Sequence, residues 1–122
     1  MLLDTFAWIE FFRSTEKGLK VNELIRGNIC FTSAVSLAEL SEWVEKEKLD
    51  RKFIFHVVQN FSTVLDVTQS QFELAGILKV EKRRTTKNFG IVDAIILATA
   101  KQYNLPVVTG DKHFDGENVV LL

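Results

Sequence analysis

The sequence has 122 residues, of which 47% are hydrophobic and 25% are charged, and its formal net charge is −1 at pH 7. This size and apolar content predict one compact domain over residues 1–122 and exclude a disordered chain. The net charge excludes a globally basic nucleic-acid binder, so any contact with RNA must come from local patches of charge.

The cysteine count and the hydropathy of the sequence indicate in which cellular compartment the protein is expected to function. Cys30 is the single cysteine, which excludes a disulfide framework and a zinc cluster of cysteines, and its apolar neighbours predict a buried structural thiol. No apolar run approaches membrane-spanning length, and Met1-Leu2-Leu3-Asp4 lacks the basic start of a signal peptide. We therefore expect a cytoplasmic protein without a membrane partner.

Short apolar runs alternate with segments of helical periodicity along the chain. The predicted strands, in order, are residues 1–3, 29–32, 64–67, 107–109 and 119–122. The predicted helices cover residues 5–13, 19–25, 36–48, 53–61, 69–78 and 91–100. Gly27-Asn28 ends the second helix, Thr68 and Gln71 form a capping box for the fifth, and Asn104-Leu105-Pro106 closes the last.

This alternation predicts an α/β fold with a central parallel sheet flanked by helices on both faces. In such sheets ligands bind beyond the carboxyl ends of the strands. Asp4 and Asp111 each follow a predicted strand directly or after one glycine. They are therefore the first candidates for a functional site.

Four acids have an ordinary structural interpretation when each is taken alone. Asp4 can cap a helix, Asp93 can lie in a helical first turn, and Gly110-Asp111 can form a turn. Ser36 and Glu39 match a capping box. These interpretations do not explain why four distant segments should place acids at one edge of the sheet.

Clustered carboxylates repel one another, and a hard divalent cation relieves that repulsion. Oxygen ligands with no histidine or cysteine nearby favour Mg²⁺ or Mn²⁺ over Zn²⁺. Two such ions about 4 Å apart can activate water and stabilise the leaving oxygen of a phosphodiester. The acids therefore suit metal-dependent hydrolysis of nucleic acid.

The order of several short motifs resembles the PIN-domain family, and among its members the toxins of the VapC type. The resemblance covers essentially the full chain. The central Asp93-Ala94-Ile95-Ile96-Leu97-Ala98-Thr99-Ala100 and the later Val108-Thr109-Gly110-Asp111-Lys112-His113-Phe114 are its most specific parts. Leu2-Leu3-Asp4-Thr5, Thr32-Ser33 and Glu39-Leu40 complete it.

The resemblance implies a PIN-domain fold and an endoribonuclease that prefers single strands. Mg²⁺ or Mn²⁺ would be held by Asp4, Glu39, Asp93 and Asp111, which would be the catalytic residues, with Thr109 orienting ligands. It also implies a small VapB-type antitoxin, in a type II toxin-antitoxin pair, and we expect a homodimer or higher homo-oligomer.

The chain is densest in positive charge between residues 79 and 87. The candidate RNA-binding residues are Lys82, Arg83, Arg84, Lys87 and, beside Asp111, Lys112. A solvated helix end explains the cluster equally well. His113 is interpreted as a residue that pairs with phosphate or is simply exposed, and Asp115 as a loop acid. The apolar faces over residues 37–61 leave surface for an antitoxin helix or a second subunit.

Other protein classes fit the sequence less well. A receiver-like switch would have paired acids after its first strand, whereas Asp4 stands alone, and Asp66 falls within a predicted strand. A D-x-D phosphatase is excluded because Phe6 stands two residues after Asp4, where the motif requires its second aspartate. A PIN domain of RNA processing and a non-catalytic interaction module remain as alternatives.

Overall fold

The computed structural model describes residues 1–122. The strands are β1 (Leu2–Leu3), β2 (Phe31–Ser33), β3 (Thr63–Leu65), β4 (Val107–Thr109) and β5 (Val119–Leu121). The helices are α1 (Thr5–Arg13), α2 (Glu16–Gly27), α3 (Ala34–Glu47), α4 (Arg51–Phe61), α5 (Gln69–Lys82) and α6 (Ile91–Tyr103), and a 3₁₀ turn spans Lys112–Phe114. No helix combines the length and apolar character needed to cross a membrane.

All five strands are parallel and form one sheet in the order β3-β2-β1-β4-β5. Leu2 lies between Phe31 of β2 and Val107 of β4, so β1 is the central strand. The chain fills one side of the sheet with β2 and β3 before it crosses to β4. The order therefore reverses between β1 and β4, which is where parallel sheets of this kind bind ligands.

Both faces of the sheet are buried, as a parallel sheet requires. Leu2 and Val107 belong to a core cluster with α5 and α6, whereas Leu3 and Val108 belong to a second cluster with α1, α2 and α4. Successive strand residues point to opposite faces, so β1, β4 and β5 each contribute to both cores. This confirms the predicted α/β fold with helices on both faces.

The predicted elements are all present, with small shifts at their ends. The Thr68 and Gln71 capping box and the end of α2 at Gly27 are confirmed, and Cys30 is buried as predicted. The third strand starts and ends earlier than predicted, so Asp66 follows β3 and is exposed. The assignment of Asp66 to a strand was therefore wrong.

Candidate metal centre

Asp4 lies at the carboxyl end of the central strand β1. Its backbone N–H donates to the Val108 carbonyl at 3.1 Å, which continues the pairing of β1 with β4. Its Oδ1 accepts a hydrogen bond from the Ala7 N–H at 2.8 Å and so caps α1. The side chain is only 5% exposed. Asp4 is thus both a helix cap and a buried carboxylate at the point where the strand order reverses.

Thr109, the last residue of β4, links Asp4 to Asp111. Its hydroxyl accepts a hydrogen bond from the Asp111 N–H at 2.9 Å, and its side chain also acts on the Asp4 carboxylate, whose pKa it lowers. Thr109 is fully buried. Its side chain therefore lies between the two acids.

Asp93 reaches the same edge of the sheet from the first turn of α6. Its Oδ2 accepts a hydrogen bond from the Gly90 N–H at 3.1 Å, so the predicted first-turn interpretation holds. The helix that carries it is buried from Ala94 to Ala100. The side chain of Asp93 therefore projects from a rigid support.

His113 is a member of this group that the sequence did not identify. Its Nδ1 lies 2.9 Å from Asp111 Oδ2 and 3.6 Å from Asp93 Oδ2. Asp93, Asp111 and His113 each offer one ligand atom, and these atoms lie within 4.8 Å of one another. The expectation that no histidine lies near these acids was therefore wrong. The two-residue spacing from Asp111 across a tight turn is the signal that could have indicated His113.

Glu39 lies on α3 and is exposed. Its Oε1 accepts a hydrogen bond from the hydroxyl of Thr5, the residue after Asp4, at 2.5 Å. It lies outside the group of three ligand atoms formed around Asp111. The structure thus brings Glu39 beside Thr5, at the start of α1.

The capping-box interpretation of Glu39 was wrong. The helix α3 begins at Ala34, and Ser33 caps it by accepting a hydrogen bond from the Val35 N–H at 3.3 Å. Ser36 lies inside the helix, and its buried hydroxyl has no hydrogen-bond partner. Because the cap lies three residues earlier than predicted, the Glu39 carboxylate takes no part in it.

Burial and like charge act together on the acids. The pKa of Asp4 rises from 3.8 to about 7, chiefly because the group is buried; hydrogen bonding with Thr109 and Ala7 lowers it, and the charges of Asp111 and Asp93 contribute to the rise. Burial also raises the pKa of Asp93, and the charge of Asp111 adds to the rise. Ionising these groups together is therefore costly in the absence of a compensating cation.

The side chains present fit a divalent cation. Carboxylate oxygens are the preferred ligands of Mg²⁺ and Mn²⁺, and an imidazole nitrogen is a good ligand for transition metals. A cation would also relieve the repulsion that raises the pKa of Asp4 and Asp93. An imidazole nitrogen beside the carboxylates would suit Mn²⁺ better than Mg²⁺.

The candidate RNA-binding residues occupy different environments. Lys82 contacts Glu117, and Arg83 donates a hydrogen bond to the Phe89 carbonyl at 2.7 Å. Arg84 is exposed. Lys87 and Lys112 line a polar cavity of about 450 Å³, whose other lining residues are Thr85, Thr86, Asn88, His113 and Asp115. This cavity adjoins the acid cluster through His113.

A family model for the PIN domain matches residues 1–116. No curated protein matches the chain. A toxin-antitoxin complex from Klebsiella pneumoniae has a chain that is 23% identical, with a TM-score of 0.76 and coverage of 98% of this chain and 94% of that one.

Two further solved structures share this fold. A DNA-bound VapBC from Salmonella typhimurium is 24% identical, with a TM-score of 0.76 and coverage of 99% and 95%. VapC20 of Mycobacterium tuberculosis, described as a sarcin-ricin loop cleaving toxin, is 18% identical, with a TM-score of 0.76 and coverage of 99% and 98%. At these identities the likeness shows the fold, and it confirms the predicted PIN-domain architecture.

Proposed function

The chain belongs to the PIN-domain family, and from that premise we propose that it is a metal-dependent endoribonuclease, the toxin of a toxin-antitoxin pair. The observation that supports the proposal is that Asp93, Asp111 and His113 offer ligand atoms within 4.8 Å of one another, and that the charges of Asp93 and Asp111 act on Asp4 at the end of the central strand. One structural neighbour is described as a sarcin-ricin loop cleaving toxin, which supports RNA as the substrate.

Each side chain at the edge has a role in this proposal. Asp4, Glu39, Asp93 and Asp111 would hold Mg²⁺ or Mn²⁺, and Thr109 would orient the acids through its hydrogen bond with the Asp111 N–H and its contact with Asp4. A bound divalent ion would supply hydroxide at neutral pH and neutralise charge on the phosphate. His113 contacts Asp111 and offers a nitrogen ligand.

The charges beside the acid cluster favour one side for RNA. Lys87 and Lys112 line the polar cavity next to His113 and are free to contact phosphate, as is the exposed Arg84. On the other side, the cavity lined by Thr5 and Glu39 also holds Glu42 and Glu47 against Arg13 and Lys46, so its charges balance apart from the proposed metal-binding Glu39. Of the two cations there, Arg13 already lies 3.9 Å from Glu47. An RNA backbone is therefore attracted more strongly to the lysine side.

An apolar groove supports the antitoxin as a partner. Its volume is about 470 Å³, and it lies between α1, α2 and α4. Leu19, Phe53 and Phe61 line it, and each is more than half exposed. Such a groove fits the apolar face of an amphipathic helix, and the structural neighbours include toxin-antitoxin complexes. Phe53→Glu should abolish capture of the antitoxin without affecting the cleavage of RNA.

The experiment that tests the nuclease is cleavage of an unstructured RNA by the purified chain. Cutting should require Mn²⁺ or Mg²⁺, stop in EDTA and be lost in Asp93→Asn. If folded, metal-bound protein does not cut several unrelated RNAs, the chain is an interaction module and the proposal fails.

A further inference from the structure

We propose that Lys82 is a positioning residue for the metal centre. It fixes the segment that carries Asp111 and His113 against the rest of the fold, and it does not contact RNA. That the metal centre cleaves RNA rests on the proposed function, whereas the contacts of Lys82 within the fold do not depend on it.

Lys82 is the last residue of α5, and its side chain is only 14% exposed. Its ammonium donates a hydrogen bond to the Asp115 carbonyl at 3.0 Å and lies 3.7 Å from Glu117 Oε1. Both partners belong to the connection between β4 and β5. A lysine committed to a carbonyl and a carboxylate at this degree of burial is not available for a phosphate.

Glu117 joins this contact to a second helix. Its other oxygen, Oε2, lies 3.1 Å from the ammonium of Lys101 on α6, and its side chain is 18% exposed. The carboxylate therefore connects the ends of α5 and α6 with the segment after the 3₁₀ turn. Of the two lysines, only Lys82 also holds the backbone of that segment, because it alone bonds to the Asp115 carbonyl.

The same lysine touches the segment that leads to Asp93. Its ammonium lies 5.8 Å from the ring centre of Phe89, which is fully buried and precedes Gly90. Phe89 packs edge-on against Phe114, the neighbour of His113, with ring centres 5.9 Å apart. Lys82 thus contacts both the segment that leads to Asp93 and the segment that carries Asp111.

The segment between β4 and β5 has little regular structure of its own. It forms only one 3₁₀ turn, in which the Asp115 N–H donates to the Lys112 carbonyl, and the Glu117 N–H then donates to the Phe114 carbonyl. One turn of this kind does not define the position of His113 against Asp93 without outside contacts. Residues that orient metal ligands from behind commonly change metal affinity 10–100-fold when they are replaced.

The test compares Lys82→Met with Lys82→Arg and with Lys101→Met. We expect Lys82→Met to weaken Mn²⁺ binding about tenfold by calorimetry, and to speed amide exchange at Asp115 and Glu117 in metal-free protein. It should lower kcat without raising KM. Lys82→Arg should restore most of the affinity, and Lys101→Met should change it less than twofold.

Two results would overturn the inference. If Lys82→Met binds Mn²⁺ as tightly as wild type but binds RNA more weakly, with the salt slope reduced by about one charge, then Lys82 contacts phosphate. If it lowers only the melting temperature, its role is merely structural. Should wild-type protein cut no RNA, the proposed function fails, yet the Mn²⁺ affinity and the amide exchange still decide the role of Lys82.

Discussion

Asp4 combines two roles that act on its ionisation in opposite directions. As the cap of α1 it accepts the Ala7 N–H, and this hydrogen bond favours the charged form. Its burial disfavours the charged form and is the larger effect, so the pKa lies at about 7. The ionised state that a metal requires is therefore the state that the metal-free fold tolerates least.

We predict that Asp4→Asn stabilises the metal-free protein as the pH rises. The pKa of Asp4 increases from 3.8 to about 7 on folding, so between these values the folded state binds more protons than the unfolded state. The stability of the wild type therefore falls as the pH rises through that range, whereas Asn keeps the acceptor and cannot ionise. The difference in melting temperature in EDTA should grow from pH 4 to pH 7 and then level off. A difference that is constant with pH would contradict the prediction.

His113 should set the preference among metals. Because imidazole favours transition metals over Mg²⁺, His113→Asn should weaken Mn²⁺ binding about tenfold and Mg²⁺ binding less. His56→Asn is the matched control, since His56 is the other histidine and is exposed on α4. Calorimetric titration of both variants measures the effect, and equal losses for the two metals would exclude a nitrogen ligand.

Asp4, Asp93 and Asp111 could be singled out from the sequence because each follows a strand or begins a helix, whereas Glu39 lies inside α3. Asp4 and Asp93 keep their ordinary helix-end contacts, so the structural interpretation of both is confirmed, and their role at a metal stays a prediction. His113 could not be found in the same way. Its position depends on a 3₁₀ turn that Phe114 anchors in the core, and a local pattern carries no signal for that anchor.

The positions of the helices and strands could be predicted from apolar runs and turn residues, but the start of α3 depends on how far β2 pairs in the sheet. Because β2 continues to Ser33, that residue takes the cap of α3, and the Ser36 capping box does not form. Strand pairing is a long-range property, so a local motif match could not reveal which serine would be used. The same limit applies to the end of β3 at Leu65.

The helices α1 and α2 pack closely against each other at Gly18, and this contact gives a prediction about stability. A Cβ at Gly18 would lie 2.0 Å from the Glu10 carbonyl oxygen, whereas one at Gly76 on α5 would meet nothing within 4 Å. Gly18→Ala should therefore destabilise the protein by about 2 kcal/mol or more. Gly76→Ala, a matched helical control, should stabilise it by about 0.5–1 kcal/mol. Urea unfolding measures both, and equal effects would contradict the packing described.

Charged side chains are distributed unevenly over the molecule, although the net charge is close to zero. This distribution could be predicted only in part, because the direction of each side chain depends on tertiary contacts. Lys82 and Arg83 belong to the basic segment of the sequence, yet the structure uses both within the fold. Lys87 and Lys112, by contrast, face a common cavity.

We predict that Lys87→Ala and Lys112→Ala each weaken RNA binding and reduce the salt slope by about one charge. The control is Lys46→Ala, which alters the glutamate-lined cavity on the other side of the cluster. Binding is measured by fluorescence anisotropy in the Asp93→Asn background, so that the RNA stays intact. A larger loss in the Lys46 variant would place the RNA on the opposite side.

Titrating Mn²⁺ into metal-stripped protein while the rate of RNA cleavage is measured tests whether the acid cluster cuts RNA through a bound metal. The rate should rise from zero, saturate with the same midpoint as the metal-induced increase in melting temperature, and stay at zero in Asp93→Asn. Cleavage at full rate without metal, or equal rates in the variant, would show that the cluster does not cut RNA in this way.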